Sequence, residues 1–176
     1  MNQLKIAFGF EARVGKDTAV DYLIKTYGGK RLSFAQPLYD IQTYAQNICG
    51  LPKEKDRKFL QIVGTEWGRD KDPNIWVNIV LKQIAETPSN ENIFISDLRF
   101  PNELEALKKA GFITVLITRT EKKRLVEFIK DAGGSLKHAS ETSLKGYEKE
   151  FNYHIKNHGS LEEFLQQIDM LAQTEL

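Results

Sequence analysis

Leu4-Lys5-Ile6-Ala7-Phe8-Gly9-Phe10-Glu11-Ala12-Arg13-Val14-Gly15-Lys16-Asp17-Thr18 is the stretch on which the reading of the fold turns. Residues 4–9 are few and mostly apolar, as in a buried strand, and Gly15-Lys16-Asp17-Thr18 opens a helix-like pattern that continues past Tyr22. The loop between them can cradle phosphate. Glycine lets the backbone curl with its N–H groups inward, the helix N-terminus adds partial positive charge, and a lysine reaches the outer phosphates. Lys16 is therefore the first functional candidate.

Two positions depart from the general G-x-x-x-x-G-K-[ST] pattern. Gly9 lies one residue too far from Gly15, so Phe10 stands at the usual first glycine, and Asp17 stands where a hydroxyl is expected. The same residues would also serve a plain strand-to-helix turn, with Asp17 favourable to the helix dipole.

A chain of 176 residues with 41% hydrophobic content can bury a full core as one domain, and no Gly/Ser- or Pro-rich linker divides it. No apolar run approaches the roughly 18 residues that a membrane span requires. Met1-Asn2-Gln3-Leu4-Lys5 lacks the features of a signal peptide and Cys49 is the single cysteine, so a cytoplasmic protein without disulfides or a cysteine-based metal site is expected. A net charge of +1 argues against broad nucleic-acid contact, which needs many clustered Lys and Arg to displace counterions. Lys122-Lys123-Arg124 reads as a solvated helix face.

Beyond the loop, Val20, Leu23 and Ile24 keep helical spacing up to Gly28-Gly29, residues 30–34 read as a second strand, and Leu38, Ile41, Tyr44 and Ile48 mark a helix over 35–49. Cys49 reads as a core position. A polar helix is expected over 53–63, and Asp72-Pro73 as an N-cap with proline at the first helical position, ahead of a buried face of Trp76, Ile79, Val80 and Ile84. Strands are expected over 92–96, 113–117 and 151–156, with a helix opened by Pro101 and stopped at Gly111. Thr118-Arg119-Thr120-Glu121 fits a capping box for a helix to about Ala132, where Gly133-Gly134 frees the chain. Ser160-Leu161-Glu162-Glu163 fits another, for a helix burying Leu161, Phe164, Leu165, Ile168 and Leu171. Strands alternating with helices predict parallel pairing through right-handed crossovers, hence a three-layer α/β sandwich.

Ligands in such sheets gather at the carboxyl ends of the strands. The Gly15-Lys16 loop, Asp97 with Arg99, Arg119 and Asn157 each follow an expected strand. Asp97 has the placement of an acidic residue that holds magnesium beside a phosphate loop, and equally that of a cap for the helix near Pro101. Arg99, two residues on, points the same way if the extended conformation persists. Arginine holds phosphate through two parallel hydrogen bonds, and Arg13, Arg57, Arg69, Arg99, Arg119 and Arg124 lie in or near loops and helix ends that could face this crevice. His138, His154 and His158 do not form a metal-ligand spacing, and no Gly-x-Ser-x-Gly elbow is present. The residue set favours phosphoryl transfer, where catalysis is mostly positioning and charge neutralisation, with Lys16, Asp97 and Arg99 as catalytic candidates.

These pieces resemble the deoxynucleoside monophosphate kinases of tailed bacteriophages, within the nucleoside monophosphate kinase group of P-loop proteins. The resemblance spans nearly the whole chain. It rests on Gly15-Lys16-Asp17-Thr18; Ser33-Phe34-Ala35-Gln36-Pro37-Leu38; Leu60-Gln61-Ile62-Val63-Gly64-Thr65-Glu66-Trp67-Gly68-Arg69 with Trp76; Asp97-Leu98-Arg99-Phe100-Pro101-Asn102-Glu103; His138-Ala139-Ser140-Glu141; and Asn157-His158-Gly159-Ser160-Leu161-Glu162-Glu163.

The resemblance implies one kinase domain of the P-loop NTPase type with a five-stranded parallel sheet, an acceptor-binding insertion over about 36–88 and a lid over about 119–141. It implies transfer of the ATP γ-phosphate to a deoxynucleoside monophosphate, with Mg2+. No nucleic-acid or membrane partner is implied, and the protein would be a monomer or homodimer, in the host bacterial cytoplasm if phage-encoded. The donor would lie on Arg13, Val14, Gly15, Lys16, Asp17 and Thr18, with Arg119, Arg124 and Asn157, and the metal on Thr18 and Asp97. The monophosphate would meet Arg57, Gln61, Gly64, Thr65, Arg69, Trp76, Asp97, Arg99 and Glu103. Trp76 could stack on a base or belong to the core, and Gly64 could present backbone groups or only end a helix. The other readings are a P-loop kinase acting on a different small molecule, and a nucleotide-binding or ATPase module without transfer.

Overall fold

Residues 93–95 and 115–117 are unbroken apolar runs because both faces of their strands are covered. The computed structural model describes residues 3–120 and 139–176. Within them, β1 (Lys5–Gly9), β2 (Lys30–Leu32), β3 (Ile93–Leu98), β4 (Ile113–Thr118) and β5 (Tyr153–Lys156) form one parallel sheet in the order β2-β3-β1-β4-β5. Alternate residues of the three central strands, β3, β1 and β4, feed two separate cores. Ile6 and Phe8 of β1, Phe94 of β3, and Val115 and Ile117 of β4 pack under α1 (Lys16–Tyr27) and α7 (Leu161–Thr174), against Val20, Leu23, Phe164 and Ile168. Ala7, Ile93, Ile95 and Leu116 pack on the opposite face, under α2 (Gln36–Cys49), α4 (Ile75–Ala85) and α5 (Pro101–Lys109), against Leu38, Trp76, Val80, Leu104 and Leu107. The expected three-layer α/β sandwich with five parallel strands is the architecture found.

One irregularity positions the site. β1 and β3 pair in register from Lys5↔Ile93 to Ala7↔Ile95 and then at Gly9↔Leu98, so Ser96 and Asp97 together oppose Phe8. A bulge of this kind re-aims side chains at a strand end.

Several boundaries differ from the sequence expectation, each for a local reason. The polar helix begins only at Arg57, where the Asp56 side chain accepts from the Phe59 N–H (3.0 Å), and α3 (Arg57–Gln61) does not stop at Gly64 but continues as a π-helix, Ile62–Arg69. α4 starts at Ile75 instead of Pro73, because the Pro73 carbonyl is taken by side chains, Asn102 Nδ2 at 2.8 Å and Arg69 Nη1 at 3.3 Å. Thr118 is the last residue of β4 and not a helix cap, and the helix expected beyond it, with Arg124, Gly133, Gly134 and His138, lies outside the described residues. A single helical turn, α6 (Ala139–Thr142), and a 3-10 turn, Glu148–Glu150, precede β5. The Ser160–Glu163 capping box forms as expected, Ser160 Oγ accepting from the Glu163 N–H (3.2 Å) and Glu163 Oε2 from the Ser160 N–H (2.8 Å). Leu161 is nevertheless 61% exposed, since it sits in the first turn, ahead of the residues that meet the sheet. In α2 only Leu38 and Gln42 are buried, while Ile41, Tyr44, Ile48 and Cys49 lie on the surface, so Cys49 is not a core residue.

Candidate active site

A parallel sheet delivers the carboxyl end of every strand to one rim, so the segments after β1, β2, β3, β4 and β5 are neighbours there. The loop between β1 and α1 takes its shape from Arg13 at φ 64° and Gly15 at φ 106°. A side chain at Gly15 would be strained, and its Cβ would lie 2.7 Å from Asn157 Nδ2 and 3.3 Å from the Phe164 ring. Asn157 braces the loop from behind, its Nδ2 donating to the Val14 carbonyl (2.9 Å) while its own N–H donates to the Thr118 carbonyl (2.8 Å). Arg119 reaches the same loop, Nη1 donating to the Arg13 carbonyl at 3.3 Å. A left-handed residue with a side chain is uncommon, and backbone of alternating hand is what turns successive N–H groups toward an anion.

Lys16 opens α1, is 7% exposed, and folds its Nζ back to donate to the Glu11 carbonyl across the loop. A buried ammonium over a concave, glycine-shaped backbone fits the polyphosphate of a nucleotide. Phe10, at the usual first-glycine position, packs against the apolar cluster on the α2–α4–α5 face, so its role in this chain is in the core.

Asp97 lies in β3 and uses its carboxylate on the segment before α2. Oδ2 accepts from Ser33 Oγ (2.6 Å) and the Ala35 N–H (2.9 Å), and Oδ1 from the Phe34 N–H (3.2 Å). It therefore anchors the start of α2, whereas the alternative weighed from sequence was a cap near Pro101. That duty belongs to Glu103, whose Oε2 accepts from the N–H groups of Phe100 (3.0 Å) and Arg99 (2.7 Å). β3 ends at Leu98, so the strand alternation that paired Asp97 with Arg99 does not extend to Arg99. Asp17 Oδ1 accepts from Ser96 Oγ at 2.6 Å, and Thr18 is exposed in the first turn of α1.

Tied through Arg69 and Glu103 to the segment after β3, the α3–π-helix segment carries Arg57, Gln61, Thr65 and Arg69 at four-residue intervals, all half-buried. That interval lies between the α and π repeats and keeps the four on one face. Gly64 and Gly68 are buried behind them, and a Cβ at Gly68 would come within 2.5 Å of the Trp76 ring. Trp76 is 3% exposed and donates its indole N–H to the Gly64 carbonyl (2.8 Å), which makes it the wedge that holds the π-helix and not an open stacking platform.

Arg69 is fixed on three sides: Nη2 to Glu103 Oε1 (2.5 Å), Nη1 to the Pro73 carbonyl, and its guanidinium 3.8 Å from the Phe100 ring centroid. Glu103 is 1% exposed. Burial pushes its carboxyl up from 4.5 to about 7, helped by the Asp97 charge and opposed by Arg69 and the two N–H groups. Among the described residues no three His, Cys, Asp or Glu side chains gather as a metal cage. Ser96 was missed in the sequence, although a polar residue closing the apolar run of β3 just before Asp97 was a usable signal.

A P-loop kinase fold is what this sheet order and lysine-led α1 define, and solved structures agree on the fold. The chain resembles TT1252 from Thermus thermophilus (TM-score 0.62, 16% identity, covering 100% of this chain and 99% of that one). It also resembles a shikimate kinase from Acinetobacter baumannii in complex with shikimate (0.59, 15%, 99% and 96%) and a gluconokinase from Sinorhizobium meliloti 1021 (0.57, 15%, 98% and 95%). The deoxynucleotide monophosphate kinase family profile matches residues 53–168, and the chain belongs to that family.

Two viral relatives accompany it. The uncharacterized protein ORF77 of Ictalurid herpesvirus 1 (strain Auburn) is 36% identical over 147 residues, covering 81% of this chain, which spans 59% of that protein's length. A provisionally named deoxynucleotide monophosphate kinase of Acanthamoeba polyphaga mimivirus is 27% identical over 88% of both chains. Family membership rests on the profile match, and the relatives, of herpesvirus and mimivirus origin, do not show a bacteriophage source. No helix among the described residues is long and apolar enough to cross a membrane.

Proposed function

We propose that this protein transfers the γ-phosphate of ATP to a deoxynucleoside monophosphate, giving the diphosphate and ADP. The observations that carry the reading are the glycine-shaped loop led by Lys16 and the row of Arg57, Gln61, Thr65 and Arg69 on one helical face, which the Arg69–Glu103 pair ties to the segment after β3. Family membership adds the acceptor class. The reaction joins two polyanions and its nucleophile, a phosphate oxygen, is already ionised, so the site needs little base catalysis and much positioning.

In this reading the loop N–H groups and Lys16 bind the donor phosphates and offset the charge that builds on them during transfer. Arg57, Arg69 and Arg99 orient the acceptor phosphate, with Glu103 holding Arg69 in one rotamer. Gln61 and Thr65 offer hydrogen bonds to the acceptor beside them. Mg2+, when bound, would neutralise donor-phosphate charge.

The test is a coupled assay of purified protein with ATP and each common ribo- and deoxyribonucleoside monophosphate. ADP release that requires a deoxynucleoside monophosphate is the expected outcome. Basal ATPase indifferent to every acceptor would leave a nucleotide-binding module, and a response to some other small molecule would move the substrate class.

A further inference from the structure

The general phosphate loop has a hydroxyl after its lysine and a carboxylate on a neighbouring strand. Here the two chemistries are exchanged. The residue after Lys16 is Asp17, and the strand residue that meets it is Ser96, with Oγ 2.6 Å from Asp17 Oδ1. Asp97, the next residue of β3, has both oxygens engaged by Ser33, Phe34 and Ala35, and withdrawing either would leave donors at the start of α2 without their acceptor.

We propose that the divalent cation accompanying the donor nucleotide is held by the Asp17 carboxylate and the Ser96 hydroxyl, in place of Thr18 and Asp97. The proposal rests on the kinase reading above. Asp17 has the access this needs, its side chain being 79% exposed, while Ser96 presents its hydroxyl from a buried strand. Mg2+ keeps several waters and takes only one or two protein ligands beside substrate phosphates, so one carboxylate and one hydroxyl suffice. Arg31 lies 3.6 Å from the same Oδ1 and holds Asp21 Oδ1 at 2.8 Å. It can yield Asp17 to a cation and retain its closer partner.

The test uses Mn2+ as the probe and needs no turnover. Calorimetry first measures ADP binding to the wild type in excess chelator, and the loss of the free-Mn2+ paramagnetic signal then gives Mn2+ affinity at saturating ADP. The expected result is metal-free ADP binding, a Mn2+ affinity reduced about tenfold or more in Asp17→Asn, and a smaller loss in Ser96→Ala. Thr18→Val should change it by less than about twofold. Unchanged affinity in Asp17→Asn, or a tenfold loss in Thr18→Val, would overturn the assignment and leave the kinase reading standing; failure of ADP to bind at all would overturn both. Should Asp17→Asn fail to fold, Ser96→Cys in a Cys49→Ala background decides. Cd2+ with ADP should then produce a thiolate-to-metal absorption band, and absence of the band in folded protein would exclude Ser96 as a ligand.

Discussion

The two parts of the candidate site, the loop and the helical wall, are built on different principles. The phosphate loop is a short irregular segment whose shape is imposed from a distance: Asn157 and Phe164, about 140 residues away in sequence, close the space behind Gly15. The helical wall is one continuous segment held by side chains nearer in sequence: Gly68 admits the Trp76 ring, Leu38 packs on Gly64, Trp76 donates to the Gly64 carbonyl, and a buried Arg69–Glu103 pair ties the π-helix to α5. A loop of backbone donors suits a ligand bound through phosphate alone. A wall of side chains on a helical face can tell one acceptor from another.

Breaking the loop should have the largest effect. Lys16→Ala is expected to fold, because Lys16, although buried, belongs to neither apolar cluster, yet to lose about 10²–10³-fold in turnover under saturating substrates. Steady-state kinetics alongside a circular dichroism melt would check it, and near-normal turnover would remove the loop from the chemistry.

Breaking the helical wall should appear first as lost stability. Gly68→Ala places a methyl against the Trp76 ring and within 2.9 Å of the Val63 carbonyl, so a loss of about 1–3 kcal/mol in unfolding free energy is expected by urea denaturation. An unchanged midpoint would mean that the close approach of Trp76 is not required.

A further effect concerns pH. Glu103 ionises in the folded chain near 7, above its ordinary 4.5, so between these values the folded state keeps a proton that the unfolded state has released. Stability contributed by the protonated carboxyl is therefore full below the lower value and declines as pH rises toward the upper one. Wild type should lose stability relative to Glu103→Gln between about pH 5 and pH 8, read from paired urea midpoints. A parallel pH dependence of the two proteins would mean that Glu103 is ionised throughout.

The same contrast explains what the sequence disclosed. The loop was legible because its shape depends on residue type: Gly15 and Lys16 announce it, and the bounds of α1, β4 and α5 follow from local periodicity and stop signals to within a residue or two. The helical wall was not. A glycine at 64 is ordinarily a helix end, and only the indole of Trp76, twelve residues on, keeps the chain helical through it. Nor does periodicity reveal which capping duty a carboxylate takes, and the duties of Asp97 and Glu103 were settled by a bulge in β3 and by burial. The Ile41, Tyr44 and Ile48 stripe of α2 kept helical spacing without a neighbour among the described residues to bury it.

The claim that the loop holds the donor and that Arg99, just past the end of β3, serves the acceptor is tested most directly by calorimetry of ADP and of the preferred deoxynucleoside monophosphate on wild type, Lys16→Ala and Arg99→Lys. Lysine at 99 keeps the charge and loses the planar fork, so monophosphate affinity in Arg99→Lys should fall about 100-fold, roughly 2.7 kcal/mol, with ADP affinity unchanged. Lys16→Ala should show the reverse, weakened ADP and intact monophosphate binding. If Arg99→Lys weakens ADP and spares the monophosphate, Arg99 belongs to the donor side and the acceptor assignment is wrong.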